Sequence, residues 1–383
     1  MKTSAGGKTS ILILHATAGA GHTRAAQAVA AALPPHKPGH RVVDTLECTS
    51  ALFRRLYVKS YIDLVQKAPE LWGYFFDKSD VVSSPDSKRA RARLAFDKLN
   101  SGKFGRLLAE ASPDVILCTH FLPLELLSDL KGRGKLEVPV HAVVTDVSPH
   151  AFWVYPHIEH YHVATPSAAR ELARKGYPAR KISVTGIPVD PIFAHRTPAP
   201  AARAKLGLPE KPTVLLLSGG FGVGPMKQML SSFKGSRSDL SLVVVAGKNA
   251  ALEQECKALA AGLSVPVKVH GFVTNMHELM DAADLIVTKP GGLTTTEILA
   301  KGKPMALVAP IPGQEQRNCE YLLEEGAAVR LYDVGDSAFH LEKWLFDETR
   351  MERMSAAARS IARPEAAKEI AASLLAYQRP NSA

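Results

Sequence analysis

Short apolar runs recur along this chain, each closed by a glycine- or proline-bearing turn. Residues 10–14, 114–118, 138–145, 161–164 and 181–184 form a first series, with Val42 and Val43 opening a further strand. Residues 212–218, 242–246, 267–269, 285–287 and 305–309 form a second series. These runs do not alternate apolar with polar residues, so they read as strands covered on both faces. Parallel sheets with crossover helices have that property. Helical stretches at 23–33 and 167–175 supply crossovers, and an Ala-rich stretch at 365–377 ends the chain as a helix. The fold class expected is therefore α/β with two doubly wound sheets. Prolines and small residues crowd residues 195–202, which read as a linker. The expected division is 1–195, 196–360 and a terminal helix in 361–383 that returns to the first domain.

A length of 383 residues accommodates two such domains, and 46% apolar with 22% charged residues is globular, not disordered. Cys48, Cys118, Cys256 and Cys319 are scattered without zinc-ligand spacing, and are expected as reduced thiols of a cytoplasmic protein. No signal-peptide core and no membrane-spanning run is visible. The net charge of +10 suits anionic lipid, an anionic small substrate or plain solubility. Nucleic acid is not expected as a partner, because no zinc finger or aromatic RNA-binding motif accompanies the charge.

The most informative segment runs from Thr288 through Lys289, Pro290, Gly291 and Gly292 to Glu297. It follows a buried strand, turns on two glycines and opens a helix. Backbone N–H groups at such a helix start, with the helix dipole, form a seat for an anion. Glu297 stands one turn in, placed to grip a ribose diol; alternatively Thr294 and Glu297 form a capping box with Thr294 as N-cap. Gln314, Glu315 and Asn318 follow Pro312-Gly313 as a polar cluster suited to sugar hydroxyls. Together these features suggest a nucleotide-sugar site.

Other motifs carry further chemistry. Between a strand and a helix lies His15-Ala-Thr-Ala-Gly-Ala-Gly-His22, where Gly19 and Gly21 admit close approach. His22 would sit at the helix start, its pKa lowered by the helix terminus, as a base. Asp146 and His150 follow another strand and would meet as an orienting or acid–base pair, unless Asp146 merely caps a turn. Gly219, Gly220, Gly222 and Gly224 lie between a strand and a helix beginning near Pro225; they fit substrate approach or phosphate, or a simple tight turn. Phe272 and Val273 could hold a flat base. The Gly6-Gly-Lys-Thr-Ser10 stretch precedes its strand and lacks the upstream glycine, so it is no phosphate-binding loop. No D-x-D pair or ligand-spaced cluster appears, and neither a metal nor a cofactor is expected.

Residues 51–106 stand apart. Phe53, Leu56, Tyr57, Tyr61, Leu64, Leu71, Trp72, Tyr74, Phe75 and Phe76 precede Lys88, Arg89, Arg91, Arg93, Lys98, Lys103 and Arg106. Two readings stand: an interface with anionic lipid, or a helical pair packing its aromatics inward with arginines in solvent.

Taken in order, Ala18–His22, Thr145-Asp146 with His150 and Trp153, 181–189, 218–226, 271–276, 289–297 and 312–318 resemble one family. It comprises monogalactosyldiacylglycerol synthases and processive diacylglycerol glucosyltransferases, relatives of the peptidoglycan glycosyltransferase MurG. The first turn reads Ala-Gly-Ala-Gly-His where relatives carry more glycine. The resemblance implies a GT-B fold, two Rossmann-like doubly wound domains facing a cleft. It implies inverting, metal-independent transfer of a hexose from UDP-galactose or UDP-glucose to diacylglycerol, on the inner face of the cell membrane. His22 becomes the candidate base and Asp146 the second. Gly21, His150 and Trp153 fall to the acceptor. Gly219, Gly220, Gly222, Gly291, Gly292 and Thr294 fall to the phosphate side of the donor site. Phe272 and Val273 flank the uracil, Glu297 binds ribose, and Gln314, Glu315 and Asn318 touch the hexose. Residues 51–106 match the membrane-docking part. A MurG-like transferase acting on a polyprenyl-diphosphate sugar and a UDP-sugar 2-epimerase are the alternatives.

Overall fold

The structure is a computed structural model that describes residues 10–17, 19–34, 39–82, 103–219 and 224–376, without the side chains of 57–63 and 66. The chain forms two compact units. One takes the residues up to Pro191, Pro312–Gln314 and those from Glu365 on; the other takes Ile192–Ile311 and Glu315–Pro364.

The first unit is built on a six-stranded sheet of β1 (Ile11–His15), β2 (His40–Asp44), β3 (Val115–Cys118), β4 (Val140–Val143), β5 (His160–Val163) and β6 (Ile182–Val184). The order is β2-β1-β3-β4-β5-β6, and every pairing is parallel. Each side of β1 meets a separate apolar layer. Leu12 and Leu14 pack with Ile116, Leu127, Trp153 and Tyr161. Ile11 and Ile13 pack with Val29 of helix Ala20–Ala32 and with Ile370 and Leu374 of helix Ala366–Ala376. The C-terminal helix thus covers the first sheet, which is why β1 reads as apolar throughout.

The second unit repeats the plan with β7 (Thr213–Leu217), β8 (Ser241–Val245), β9 (Val267–His270), β10 (Leu285–Thr288), β11 (Met305–Val308) and β12 (Ala328–Leu331), in the order β12-β11-β10-β7-β8-β9. All its pairings are parallel as well. Leu216, Val244, Phe233, Leu341 and Trp344 close its main core. Sequence reading did not anticipate β12. Helix Ala199–Leu206 begins inside the stretch read as a linker and ends on Gly207 in the left-handed region, where a glycine costs least.

Helices Ala51–Lys67 and Pro69–Ser79 divide the aromatic segment between the core and the surface. Phe53 and Phe76 are buried, whereas Leu52, Leu56, Leu71, Tyr74 and Phe75 are exposed. The second helix is tied down by Asp80, which accepts from the Ala151 N–H at 2.8 Å and pairs with the Lys175 ammonium at 2.6 Å. The basic stretch at 88–98 lies outside the described residues, as do the side chains of Tyr57 and Tyr61. Among the described residues no helix is long and apolar enough to cross a membrane.

Candidate functional site

In an open parallel sheet, ligands bind beyond the carboxyl ends of the strands. In the first unit that edge carries His22, the third residue of helix Ala20–Ala32, which follows β1. Its Nδ1 lies 2.8 Å from the Thr119 carbonyl, just past β3, and 3.1 Å from Thr145 Oγ1, just past β4. A carbonyl only accepts, so Nδ1 carries the proton and Nε2 keeps its lone pair. The Thr119 hydroxyl returns the link by donating to the His22 carbonyl at 2.9 Å. The ring of buried His120 stands edge-on to His22 with centroids 4.5 Å apart. Burial lowers the His22 pKa to about 4, against a smaller raising effect of the Thr119 bond; nearby His15 lowers it further. Desolvation, more than the helix terminus invoked from sequence, therefore keeps this imidazole neutral at pH 7.

The loop before this helix is held from behind. Thr17 N–H and Leu46 N–H both donate to Asp44 Oδ1, at 3.3 and 3.0 Å, and Thr23 Oγ1 lies 3.1 Å from His15 Nδ1. Gly19 is extended, and a Cβ built there meets nothing within 4 Å. Gly21 lies inside the helix, in its first turn.

His150 and Trp153, both expected at the acceptor, are buried. His150 is buried, with Nδ1 accepting from Phe152 N–H at 3.1 Å and Nε2 donating to the Phe76 carbonyl at 2.9 Å. Nε2 thus ties helix Pro69–Ser79 to the sheet edge, and Nδ1 caps the turn Ala151–Trp153. Trp153 is 2% exposed, packed against Phe121 in the core, because the 3-10 turn Ala151–Trp153 rotates it inward. It supports the edge from beneath and presents no surface to a ligand. Asp146 follows Thr145 on the same edge and is half-buried.

In the second unit, β10 runs into Pro290, Gly291 and helix Gly292–Lys301. The capping box given as the alternative is not formed. Gly291, not Thr294, is the N-cap, which puts Thr294 in the first turn. The helix starts early because Gly291 is extended and the following threonines bond back into it. Thr295 Oγ1 donates to the Gly291 carbonyl at 2.9 Å, and Thr296 Oγ1 to the Gly292 carbonyl at 2.7 Å. The first backbone N–H groups of this helix have no intrahelical acceptor, which makes its start an anion seat. Glu297 is 2% exposed, within the helix and facing inward.

Asn318, on helix Gln314–Glu324, is fully enclosed, and its Nδ2 donates to the Pro290 carbonyl at 3.0 Å. Glu315 Oε2 accepts from the Ile311 N–H at 2.9 Å, and its other oxygen would lie 3.9 Å from a Cβ placed on Gly291. Glu315 and Asn318 therefore lie against the glycine turn; Gln314 is half-buried at the start of the same helix. Phe272 is exposed, with the Lys248 ammonium 5.4 Å from its ring centroid, and Val273 is half-buried beside it. Gly219 has a φ of +76° at the end of β7, a conformation that favours glycine. Gly220 and Gly222 lie outside the described residues. Among the described residues no group of three or more His, Cys, Asp or Glu side chains could hold a metal ion.

Sequence reading missed three neighbours of His22. His120 offered a signal, a histidine directly after a strand. The Thr119 carbonyl offered none, since a main-chain acceptor leaves no trace in side-chain identity. Thr145 was visible only as the companion of Asp146.

Two six-stranded parallel sheets with helices around them, each bearing polar residues beyond its strand ends, are the architecture of the GT-B fold. Residues 22–189 match the family model for monogalactosyldiacylglycerol (MGDG) synthase, and residues 225–374 that for the glycosyltransferase family 28 C-terminal domain. A processive diacylglycerol beta-glucosyltransferase of Bacillus cereus (strain AH187) is 35% identical over 280 residues, 71% of this chain and 71% of that one. Among solved structures, Acinetobacter baumannii MurG matches with a TM-score of 0.61 at 17% identity, over 96% of this chain and 99% of its own. A UDP-GlcNAc 2-epimerase from Neisseria meningitidis, bound to UDP-GlcNAc, matches with a TM-score of 0.58 at 14% identity, over 96% and 100%. At those identities the shared property is the fold. The chain belongs to the monogalactosyldiacylglycerol synthase and processive diacylglycerol glucosyltransferase family, and it is a hexosyltransferase.

Proposed function

We propose that this protein transfers a hexose from UDP-glucose or UDP-galactose to the free hydroxyl of diacylglycerol, with inversion and without a metal ion, making a membrane glycolipid. The observation that carries the reading is the His22 ring. Its Nδ1 is spent on Thr119 and Thr145, and its low pKa leaves Nε2 unprotonated at neutral pH. Nε2 is then the base that takes the acceptor hydroxyl's proton as oxygen attacks the anomeric carbon, and Asp146 is the second candidate. The leaving UDP is stabilised by the N–H groups at Gly292 and Thr294, which substitute for a cation, while Gly291, whose N–H donates to the Lys289 carbonyl at 2.8 Å, shapes the turn beside them. Glu297 is assigned to the ribose, Phe272 and Val273 to the uracil, and Gln314, Glu315 and Asn318 to the hexose. The activity that names the Bacillus relative supports diacylglycerol as acceptor and puts glucose ahead of galactose.

The acceptor lies in a bilayer, and the protein meets it peripherally, on the inner face of the cell membrane. Leu71, Tyr74, Phe75 and Lys78 share one exposed helical face, with the Lys78 ammonium 5.7 Å from the Tyr74 ring centroid. Aromatic rings beside a snorkelling lysine suit the interface of an anionic leaflet.

The test is incubation with diacylglycerol liposomes and radiolabelled UDP-glucose or UDP-galactose in EDTA, followed by lipid extraction. Label in a β-linked glycolipid is expected. Dependence on added metal removes the metal-free reading. An epimerised UDP-sugar with no labelled lipid replaces transferase by epimerase.

A further inference from the structure

We infer that Thr145 is a positioning residue for His22: its hydroxyl oxygen accepts the Nδ1 proton and so holds Nε2 toward the acceptor. The inference rests on the reading of His22 as the base. Thr145 Oγ1 and the Thr119 carbonyl lie 3.1 and 2.8 Å from the same nitrogen. Because the carbonyl cannot donate, the proton sits on Nδ1 and is shared between two acceptors, and the hydroxyl receives it. The two acceptors come from adjacent, paired strands: Thr119 follows β3 and Thr145 follows β4. Two acceptors on different strands restrict the ring's rotation about χ2 more tightly than one. The edge-on His120 ring blocks part of the remaining swing. Thr145 is buried, so water does not readily take its place. As Nε2 accepts the substrate proton, positive charge appears on the ring, and an acceptor on Nδ1–H stabilises that imidazolium. The contribution therefore grows toward the transition state, which places it in kcat and not in KM.

The experiment compares Thr145→Val, which keeps the branched shape but has no acceptor, with Thr145→Ser, which keeps the oxygen. Both are assayed on diacylglycerol liposomes with UDP-glucose, alone and in the His22→Ala background. Loss of one hydrogen bond at the transition state corresponds to a kcat about five- to tenfold lower in Thr145→Val. KM for both substrates should stay unchanged, Thr145→Ser should retain most of the rate, and Thr145→Val should cost nothing further once His22 is alanine. Wild-type kcat in Thr145→Val, equal slowing by serine, or the same loss in the alanine background overturns the inference while the base reading stands. A His22→Ala enzyme at wild-type rate overturns both. A turnover-independent readout is the His22 ring in nitrogen-15-labelled protein. Its Nδ1–H signal is expected to move, and to exchange faster with water, in Thr145→Val but not in Thr145→Ser; an unmoved signal counts against the bond.

Discussion

Acid should unfold this protein before it silences its base, and the reason lies in a second histidine group. His141 on β4 and His160 and His162 on β5 share one side of the first sheet, with His141 Nδ1 3.4 Å from His162 Nε2. His141 is 1% exposed, and burial, with a smaller contribution from His160, lowers its pKa from 6.5 to about 3. His162 is held well below its ordinary value by burial and by the same neighbours. The folded pKa lies below the unfolded one, so the unfolded chain binds protons first. Stability is full above about pH 6.5 and is lost as the pH falls toward the folded pKa. Each pH unit in that window costs about 1.4 kcal/mol per histidine. His141 alone thus accounts for about 2 kcal/mol between pH 6.5 and 5. For a domain whose total is about 5–15 kcal/mol that is a substantial share. Urea unfolding of the first unit's fluorescence signal at a series of pH values measures the slope. His141→Leu should reduce the loss between pH 7.5 and 5 by about 2 kcal/mol, whatever it does to stability at neutral pH. An undiminished slope in that variant would refute the burial argument. The same variant gives access to lower pH, where the limb of activity assigned to His22 should appear near pH 4.

Three further outcomes follow from the geometry. His22→Ala should lower kcat by roughly a hundredfold or more while calorimetry still detects UDP binding; equal loss of UDP binding would show His22 to be structural. Asn318→Leu removes the donor to the Pro290 carbonyl and leaves that acceptor unpaired in a sealed position, so the melting temperature should fall with a cost of about 1–3 kcal/mol. UDP affinity should fall with it, because the glycine turn loses its support. Replacing exposed Tyr74 and Phe75 together by serine should abolish sedimentation with anionic vesicles without changing the melting temperature, since neither ring is part of the core.

Much of the fold was legible because it depends on side-chain patterns. Strands sealed on both faces must be apolar throughout, so β1, β3, β8 and β11 announced themselves. β12 did not: Ala328, Val329, Arg330 and Leu331 form the sheet's edge, where a strand is covered less and tolerates an arginine whose guanidinium lies over Tyr332. Helix Gly292–Lys301 opens on the glycine turn, and only the alternative with Thr294 as N-cap starts it too late. A Thr-x-x-Glu pattern fits a capping box, yet here the extended Gly291 and the back-bonded Thr295 and Thr296 begin the helix sooner. The burial of Trp153 was not legible either, since the direction of a large aromatic in a motif is set by the turn beneath it.

The candidate site divides along the same line. The glycine-rich turns and the histidine after them are visible because only glycine tolerates a φ of +76° at Gly219, and because an ionisable side chain after a buried strand is out of place unless it does something. What suits His22 to the base role proposed for it is not visible. Its proton is fixed by a carbonyl contributed from residue 119 and a hydroxyl from residue 145, brought together only when β3 and β4 pair. Its neutrality is set by burial, which is a property of the folded unit. A motif can thus nominate a base, but the tautomer and the pKa belong to strand order. His22→Ala therefore tests whether the ring is the base, and Thr145→Val tests how the strand ends hold that ring.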